Sequence, residues 1–172
     1  MSEPRIERLT SASDTTLQQL AEVLVDAVRS NAGISFMSDL TPAAAEQWWR
    51  STINSASSRA VILVASDETG IVGTVQIQPA WAPNQPHRGD VAKMMVHRRA
   101  RGRGIARALM EALERHARDE RYALLLLDTV KDGAAEKLYV SMGWTRVGEV
   151  PKFALNPDRS WATTVFYYKE IA

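Results

Sequence analysis

The segment Arg101-Gly102-Arg103-Gly104-Ile105-Ala106 has the composition of an anion-binding turn. Small residues let the backbone turn tightly ahead of a helix, and the N–H groups of a first helical turn lack partners inside the helix, so they point together at an anion such as phosphate. Arg98 and Arg99 join Arg101 and Arg103 in the same stretch. Their mobile positive charge suits a ligand with several phosphates, and coenzyme A meets that description. A P-loop needs Gly, four residues and then Gly-Lys-Ser/Thr, and the chain has no such run, which argues against kinase or NTPase chemistry. A dinucleotide fingerprint comes nearer, because Gly102-x-Gly104 follows a strand-like stretch and Asp128 lies roughly 20 residues on. Its third glycine is replaced by Arg107, however, and hairpin signals precede the turn where repeated βαβ units would be needed.

Two carboxylates stand beside this turn, Asp90 at the start of the preceding strand and Asp128 at the end of the following one. Carboxylates so placed can relay a proton directly or through water. The chain contains no cysteine and no Gly-x-Ser-x-Gly elbow, so a covalent acyl-enzyme is not indicated. His87, His97 and His116 have no metal-ligand spacing, and no metal is expected.

The elements that must hold these groups follow from periodicity. Arg5–Leu9 alternates weakly as a first strand. Asp14 is a candidate N-cap for a helix carrying Leu17, Leu20, Leu24 and Val28 at three- and four-residue spacings, ending near Gly33. Thr41-Pro42 starts a second helix bearing Trp48 and Trp49. The aliphatic run Ala60–Ala65, the turn Asp67–Gly70 and the alternating Ile71–Gln78, with Val72, Thr74 and Gln76 set against Ile71, Val75 and Ile77, predict a hairpin. After a proline-rich loop, Asp90–Val96 predicts a strand with Asp90, Ala92, Met94 and Val96 on one face and Val91, Lys93 and Met95 on the other. Ile105–Arg118 is an amphipathic helix, with Ile105, Leu109, Ala112 and Leu113 inward and Glu111, Glu114, Arg115 and Arg118 largely outward. Ala123–Leu127 is a buried strand closed by Asp128, parallel to the strand before the turn. Asp132 can cap a helix with Ala135, Leu138, Tyr139 and Met142 inward and Gly143 as its stop. Trp144–Val150 and Thr163–Lys169 are the last strands. The order β α α β β β α β α β β predicts an α/β (α+β) domain spanning residues 1–172, a mixed sheet of about seven strands flanked by about four helices.

Charge and composition exclude other classes. Lys and Arg total 21 against 20 Asp and Glu, which implies no field able to hold nucleic acid or an anionic membrane. The stretch from Met1 to Asp14 has no apolar core of signal-peptide length, and no apolar run approaches membrane-spanning length. With cysteine absent as well, a soluble cytoplasmic protein is expected, as a monomer or homodimer.

These residues resemble the Gcn5-related N-acetyltransferase (GNAT) family. Its signature of Gln or Arg, two residues, Gly, one residue, and Gly or Ala is filled by Arg101, Gly104 and Ala106. Its later block, Leu-Tyr before a Gly-aromatic pair, matches Leu138-Tyr139 and Gly143-Trp144. Within the family, Phe36–Leu40, Asp90–Gly104, Leu127–Thr129 and Thr145–Glu149 resemble a branch that acetylates a lysine-like toxin. The resemblance implies the GNAT fold, with acetyl-CoA as cosubstrate and a small-molecule amine as partner. It implies catalytic roles for Asp90 and Asp128, as proton acceptors from the amine, and for Tyr139 near the coenzyme sulfur. It also implies coenzyme contacts from Met94, Met95, Val96, Arg101, Gly102, Arg103, Gly104, Ile105, Ala106, Asp132 and Ala135, although many members carry Asn where this chain has Asp132. The acceptor is expected at Phe36, Asp39 and Trp48, with Asp39 facing its ammonium. Two alternatives stay open, an acetyltransferase of protein lysines or N-termini and a coenzyme-binding sensor without turnover.

Overall fold

Ser13, one residue before the expected Asp14, caps the first helix through a 3.1 Å hydrogen bond from the amide of Thr16, so α1 runs Asp14–Arg29. The helix stops before Gly33 because Asn31 takes a φ of 59° and Ser30 donates back to Asp26 and Ala27. Thr41 caps α2, Pro42–Asn54, with Pro42 in the first turn, where its missing N–H costs nothing. In this computed structural model residues 4–171 are described; Met1–Glu3, the start of the N-terminal stretch read above as lacking a signal-peptide core, and Ala172 lie outside them.

The strands are β1 Arg5–Arg8, β2 Val61–Asp67, β3 Gly70–Pro79, β4 Arg88–Val96, β5 Leu124–Val130, β6 Thr145–Leu155 and β7 Trp161–Glu170. The remaining helices are α3, Ile105–Asp119, and α4, Ala134–Ser141, with a 3₁₀ turn at Arg98–Ala100. The element order is the expected one, and the strands form one mixed sheet in the order β1-β2-β3-β4-β5-β7-β6. Every neighbouring pair is antiparallel except β4–β5, which is parallel.

Two cores hold the layers together. On one face Val61, Leu63, Val72, Val75, Ile77, Val91, Leu125 and Leu127 pack against Ile105, Leu109 and Leu113 of α3 and Tyr139 of α4. On the other, Ile62, Val64, Ile71 and Met95 pack under Leu17, Leu20, Leu24 and Trp49 of α1 and α2. Each such fully buried side chain contributes about 1.5–3 kcal/mol. Trp49 also satisfies its indole N–H by donating to Leu20 O at 3.1 Å.

Strict alternation fails at two bulges. In β3, Ala65 pairs with Gly73 and Ser66 with Ile71, so Val72 is the extra residue and shares the α3 face with Val75 and Ile77. In β4, Gln76 pairs with Ala92 and Thr74 with Met95, which leaves Lys93 and Met94 opposite Val75. Lys93 accommodates the insertion with a φ of 54°. The faces expected for β4 are therefore exchanged beyond Ala92: Met94 and Val96 pack with Val91 on the α3 side, and Met95 turns to the α1 side. A bulge kinks the strand that carries it. The parallel pairing of β4 with β5 ends at Asp90–Leu126, while β5 continues along β7 to Val130. The two central strands thus splay apart beyond Asp90.

Glu114, expected to face solvent, is buried. Lys169 of β7 reaches it with both carboxylate contacts at 2.8 Å and adds a 2.7 Å bond to Met142 O, and Trp144 Nε1 donates to the same carboxylate at 3.3 Å. This knot ties α3, the end of α4 and β7 together.

Candidate active site

The glycine turn is built as an open anion cradle. Gly102 and Gly104 have φ of 74° and 75°, and a Cβ at either would meet nothing within 4 Å. Gly104 is the N-cap of α3 and gives no side-chain cap, and the first helical bond runs from Ala108 N to Gly104 O at 3.0 Å. The amides of Ile105, Ala106 and Arg107 are left without intrahelical acceptors, on the positive end of a 15-residue helix. The arginines are held from behind. Arg103 donates to Asp67 at 2.7 Å, Arg101 Nε to Val96 O at 3.1 Å and Arg99 to Ile71 O at 3.2 Å. Asp26 of α1 is buried and accepts from both the amide and the guanidinium of Arg98. Burial would raise its pKa, and those bonds more than offset it, keeping the carboxyl below the usual range. The residues present fit a polyphosphate ligand such as coenzyme A.

The splay places unpaired backbone next to this cradle. His97 N donates to Val72 O at 2.8 Å, so with the two-residue alternation of a strand the amide of Val96 faces the gap, and Met94 lies within the bulge just before it. Met95, paired with Thr74, directs its amide toward β3 instead, unlike the expectation that it shares the gap.

Asp90 and Asp128 lie on the same sheet face and feel each other's charge across the splay. They differ in company. Asp90 accepts a 2.7 Å ion pair from Arg88, whereas Asp128 stands at the open end of the gap, where crowding by protein atoms raises its pKa against the opposing influence of Lys93. Tyr139 reaches the same gap from the other face, its ring buried 6.0 Å from Trp144 and 6.4 Å from Tyr167. Burial, and then the charge of Asp128, push its phenol well above the ordinary value. Asp132 does not cap α4 as expected. Gly133 holds the N-cap position, and Glu136 reaches back to accept from the Asp132 amide at 2.7 Å. Ala135 is half-buried in the first turn of that helix.

On the acceptor side Phe36 and Trp48 meet edge to face at 5.2 Å, as a roof over β4. Asp39 is exposed, three residues beyond Phe36. The loop carrying Phe36 is latched to the β6–β7 turn: Asn31 exchanges bonds of 3.0 and 3.2 Å with Asp158, and Ser38 N donates to Pro157 O at 3.3 Å. Three groups at the site escaped the sequence reading. Lys93 lies under the roof, and its signal was a lone cation inside an apolar strand. Thr74 and Gln76 are buried beside it with Oγ1 and Nε2 unpartnered. Among the described residues no group of three His, Asp or Glu side chains could hold a metal, and no helix is long and apolar enough to cross a membrane.

Comparison with known proteins gives the family and the fold. The acetyltransferase (GNAT) family model matches residues 19–144. The chain is 35% identical over 88 residues to human N-acetyltransferase 8B, covering 50% of this chain and 39% of that protein, so it spans well under half of that relative. An N-acetyltransferase structure from Staphylococcus aureus Mu50 superposes with a TM-score of 0.83 at 18% identity, covering 99% of this chain and 100% of that one. The structure of yncA from Salmonella typhimurium, with its cofactor acetyl-CoA, superposes with a TM-score of 0.80 at 18% identity over 99% and 95% of the two chains. The chain belongs to the GNAT family of acetyltransferases, enzymes that take their acyl group from acetyl-CoA.

Proposed function

We propose that the chain, with residues 1–172 acting as one cytoplasmic catalytic domain, transfers the acetyl group of acetyl-CoA to the amine of a small molecule. The observation that carries this reading is the splay beyond Asp90, which opens between the phosphate cradle on one side and Asp128 on the other.

Acetyl-CoA supplies an acyl group already activated as a thioester. Arg101, Gly102, Arg103, Gly104, Ile105 and Ala106 hold its phosphates, with Asp132 and Ala135 at its flank. The amide of Val96, with Met94 in the bulge before it, polarises the thioester carbonyl, a fixed donor of the oxyanion-hole kind. An alkylamine of pKa about 10 arrives protonated and must lose that proton before it attacks. Asp128 takes it, since its raised proton affinity makes it a better base than an ordinary carboxylate, and Asp90 relays it outward. The raised pKa of Tyr139 keeps its hydroxyl protonated, so it donates a hydrogen bond to the departing sulfur, and the second amine proton, shed as the amide forms and the C–S bond breaks, passes to that thiolate to give free thiol. Phe36 and Trp48 cover the acceptor, and Asp39 attracts its ammonium at the rim.

The latch from Asn31 to Asp158 ties the loop that carries Phe36 to the β6–β7 turn, and a tethered acceptor loop supports a small acceptor over a protein lysine or N-terminus. The four stretches that resemble the toxin-acetylating branch, named for the tabtoxin resistance protein, support detoxification of a lysine-like toxin or antibiotic as the role. A screen of amino acids, dipeptides and aminoglycosides, followed by acetyl-CoA-dependent thiol release, tests the reading. Turnover with a small amine that is lost in Asp128→Asn supports it; turnover with peptides alone, or acetyl-CoA binding without any turnover, overturns it.

A further inference from the structure

Lys93 is the extra residue of the β4 bulge, held at a φ of 54° that residues with side chains rarely adopt. Its ammonium donates to Ile34 O at 2.9 Å and to Ser35 Oγ at 3.2 Å. The faces of Phe36 and Trp48 lie 5.3 and 5.5 Å away, within cation–π range. An ammonium has three donors, and these two bonds occupy two of them. The opposing charge that acts on it is Asp128, across the splay on the same side of the sheet. The two carboxylate and ammonium groups act on each other's titration, yet no ion pair joins them among the described residues. Asp90, the other carboxylate here, is engaged by Arg88.

A half-buried cation and a solvent-facing carboxylate that share one gap without closing on each other favour a ligand carrying the complementary pair. The buried, unpartnered Thr74 Oγ1 and Gln76 Nε2 lie on the same face, at positions paired with Met95 and Ala92 on either side of Lys93. The floor at this end is therefore polar. We propose that Lys93 is a specificity-determining residue that binds a carboxylate adjacent to the reacting amine, so that the acceptor class is free α-amino acids and close analogues. The amine then lies toward Asp128, the carboxylate takes the third donor of Lys93, and the side chain passes under Phe36 and Trp48. This inference rests on the small-amine reading above.

The test uses the full chain with acetyl-CoA and three acceptors that share one side chain: the best-used member of a panel of α-amino acids, its α-amide, and the corresponding decarboxylated amine. Wild type is expected to favour the acid by at least about tenfold in kcat/KM, the scale of one charge-assisted hydrogen bond. In Lys93→Met, and in Lys93→Gln as a second variant, the acid-to-amide ratio falls to near one; Lys93→Arg keeps part of it. A lysine that only pins the Ile34–Phe36 loop would slow all three acceptors together and leave the ratio intact, which overturns the assignment. Efficient use of the amide or the plain amine by wild type also overturns it, while the small-amine reading survives. Failure to acetylate any free amine overturns both.

Discussion

Replacing Gly104 by Ala separates the strain of the glycine turn from its service to a ligand. With a φ of 75° and nothing within 4 Å of an added Cβ, the unliganded protein meets no clash. The cost is the left-handed backbone, about 1–2 kcal/mol, less about 0.4–1 kcal/mol because Ala narrows the unfolded ensemble. A net loss of about 1 kcal/mol lowers Tm by about 2–4 °C in a chain of this length. Gly148 provides the control, since it also has open space but no positive φ, and Gly148→Ala is expected to leave Tm unchanged or slightly raised. Ligand linkage then reads the second effect. Acetyl-CoA at about 100 times Kd stabilises wild type by about 2.7 kcal/mol, a rise of about 5–11 °C. The new methyl occupies the space through which a phosphate approaches the bare backbone, and a tenfold weaker Kd would cut that stabilisation to about 1.4 kcal/mol. Thermal unfolding followed by circular dichroism, with and without acetyl-CoA, measures both quantities. If Gly104→Ala lowers the unliganded Tm yet keeps the full ligand-induced rise, the turn is not the phosphate site and the reasoning fails.

Asp128→Asn should cut kcat by about 10²–10⁴ and remove the acid limb of the pH–rate profile, a limb that in wild type lies above that of an ordinary carboxylate. The same variant should not be less stable at neutral pH. The folded pKa of Asp128 is raised, so its ionised form opposes folding at pH above that value and the penalty fades as pH falls through it; Asn lacks it throughout, and the Tm difference should shrink on acidification. Tyr139→Phe should lower kcat at least about tenfold with a smaller change in KM for acetyl-CoA, as loss of one hydrogen bond made chiefly as sulfur departs; an unchanged kcat removes Tyr139 from the chemistry. Glu114→Ala strands the Lys169 ammonium in a buried site and should cost about 3–5 kcal/mol, visible as a lowered urea midpoint.

The periodicities of α1, α3 and β5 carried the element order, because long amphipathic or uniformly apolar runs leave few alternatives. What local pattern could not carry was the pair of bulges. Val72 and Lys93 are unremarkable in a strict alternation, and only pairing to the neighbouring strands makes each the extra residue that exchanges the faces beyond it. The site followed the same division. The Gly102–Gly104 turn was legible because positive φ and an uncapped helix start demand glycine locally, whereas Lys93 meets Ile34, Phe36 and Trp48 only through contacts of 45 or more residues' separation that the fold creates. Glu114 and Asp26 were hidden for a related reason: a charged residue on a helix suggests solvent until its partner, Lys169 or Arg98, is placed opposite.

Release of free thiol from acetyl-CoA, recorded with and without a small primary amine and with the acetylated product identified by mass, tests the central claim most directly. The account predicts amine-dependent release in stoichiometric match with N-acetylated product, and its loss in Asp128→Asn. Thiol release that is indifferent to every small amine, or acetyl-CoA that binds at the Gly104 turn and is never consumed, would contradict it.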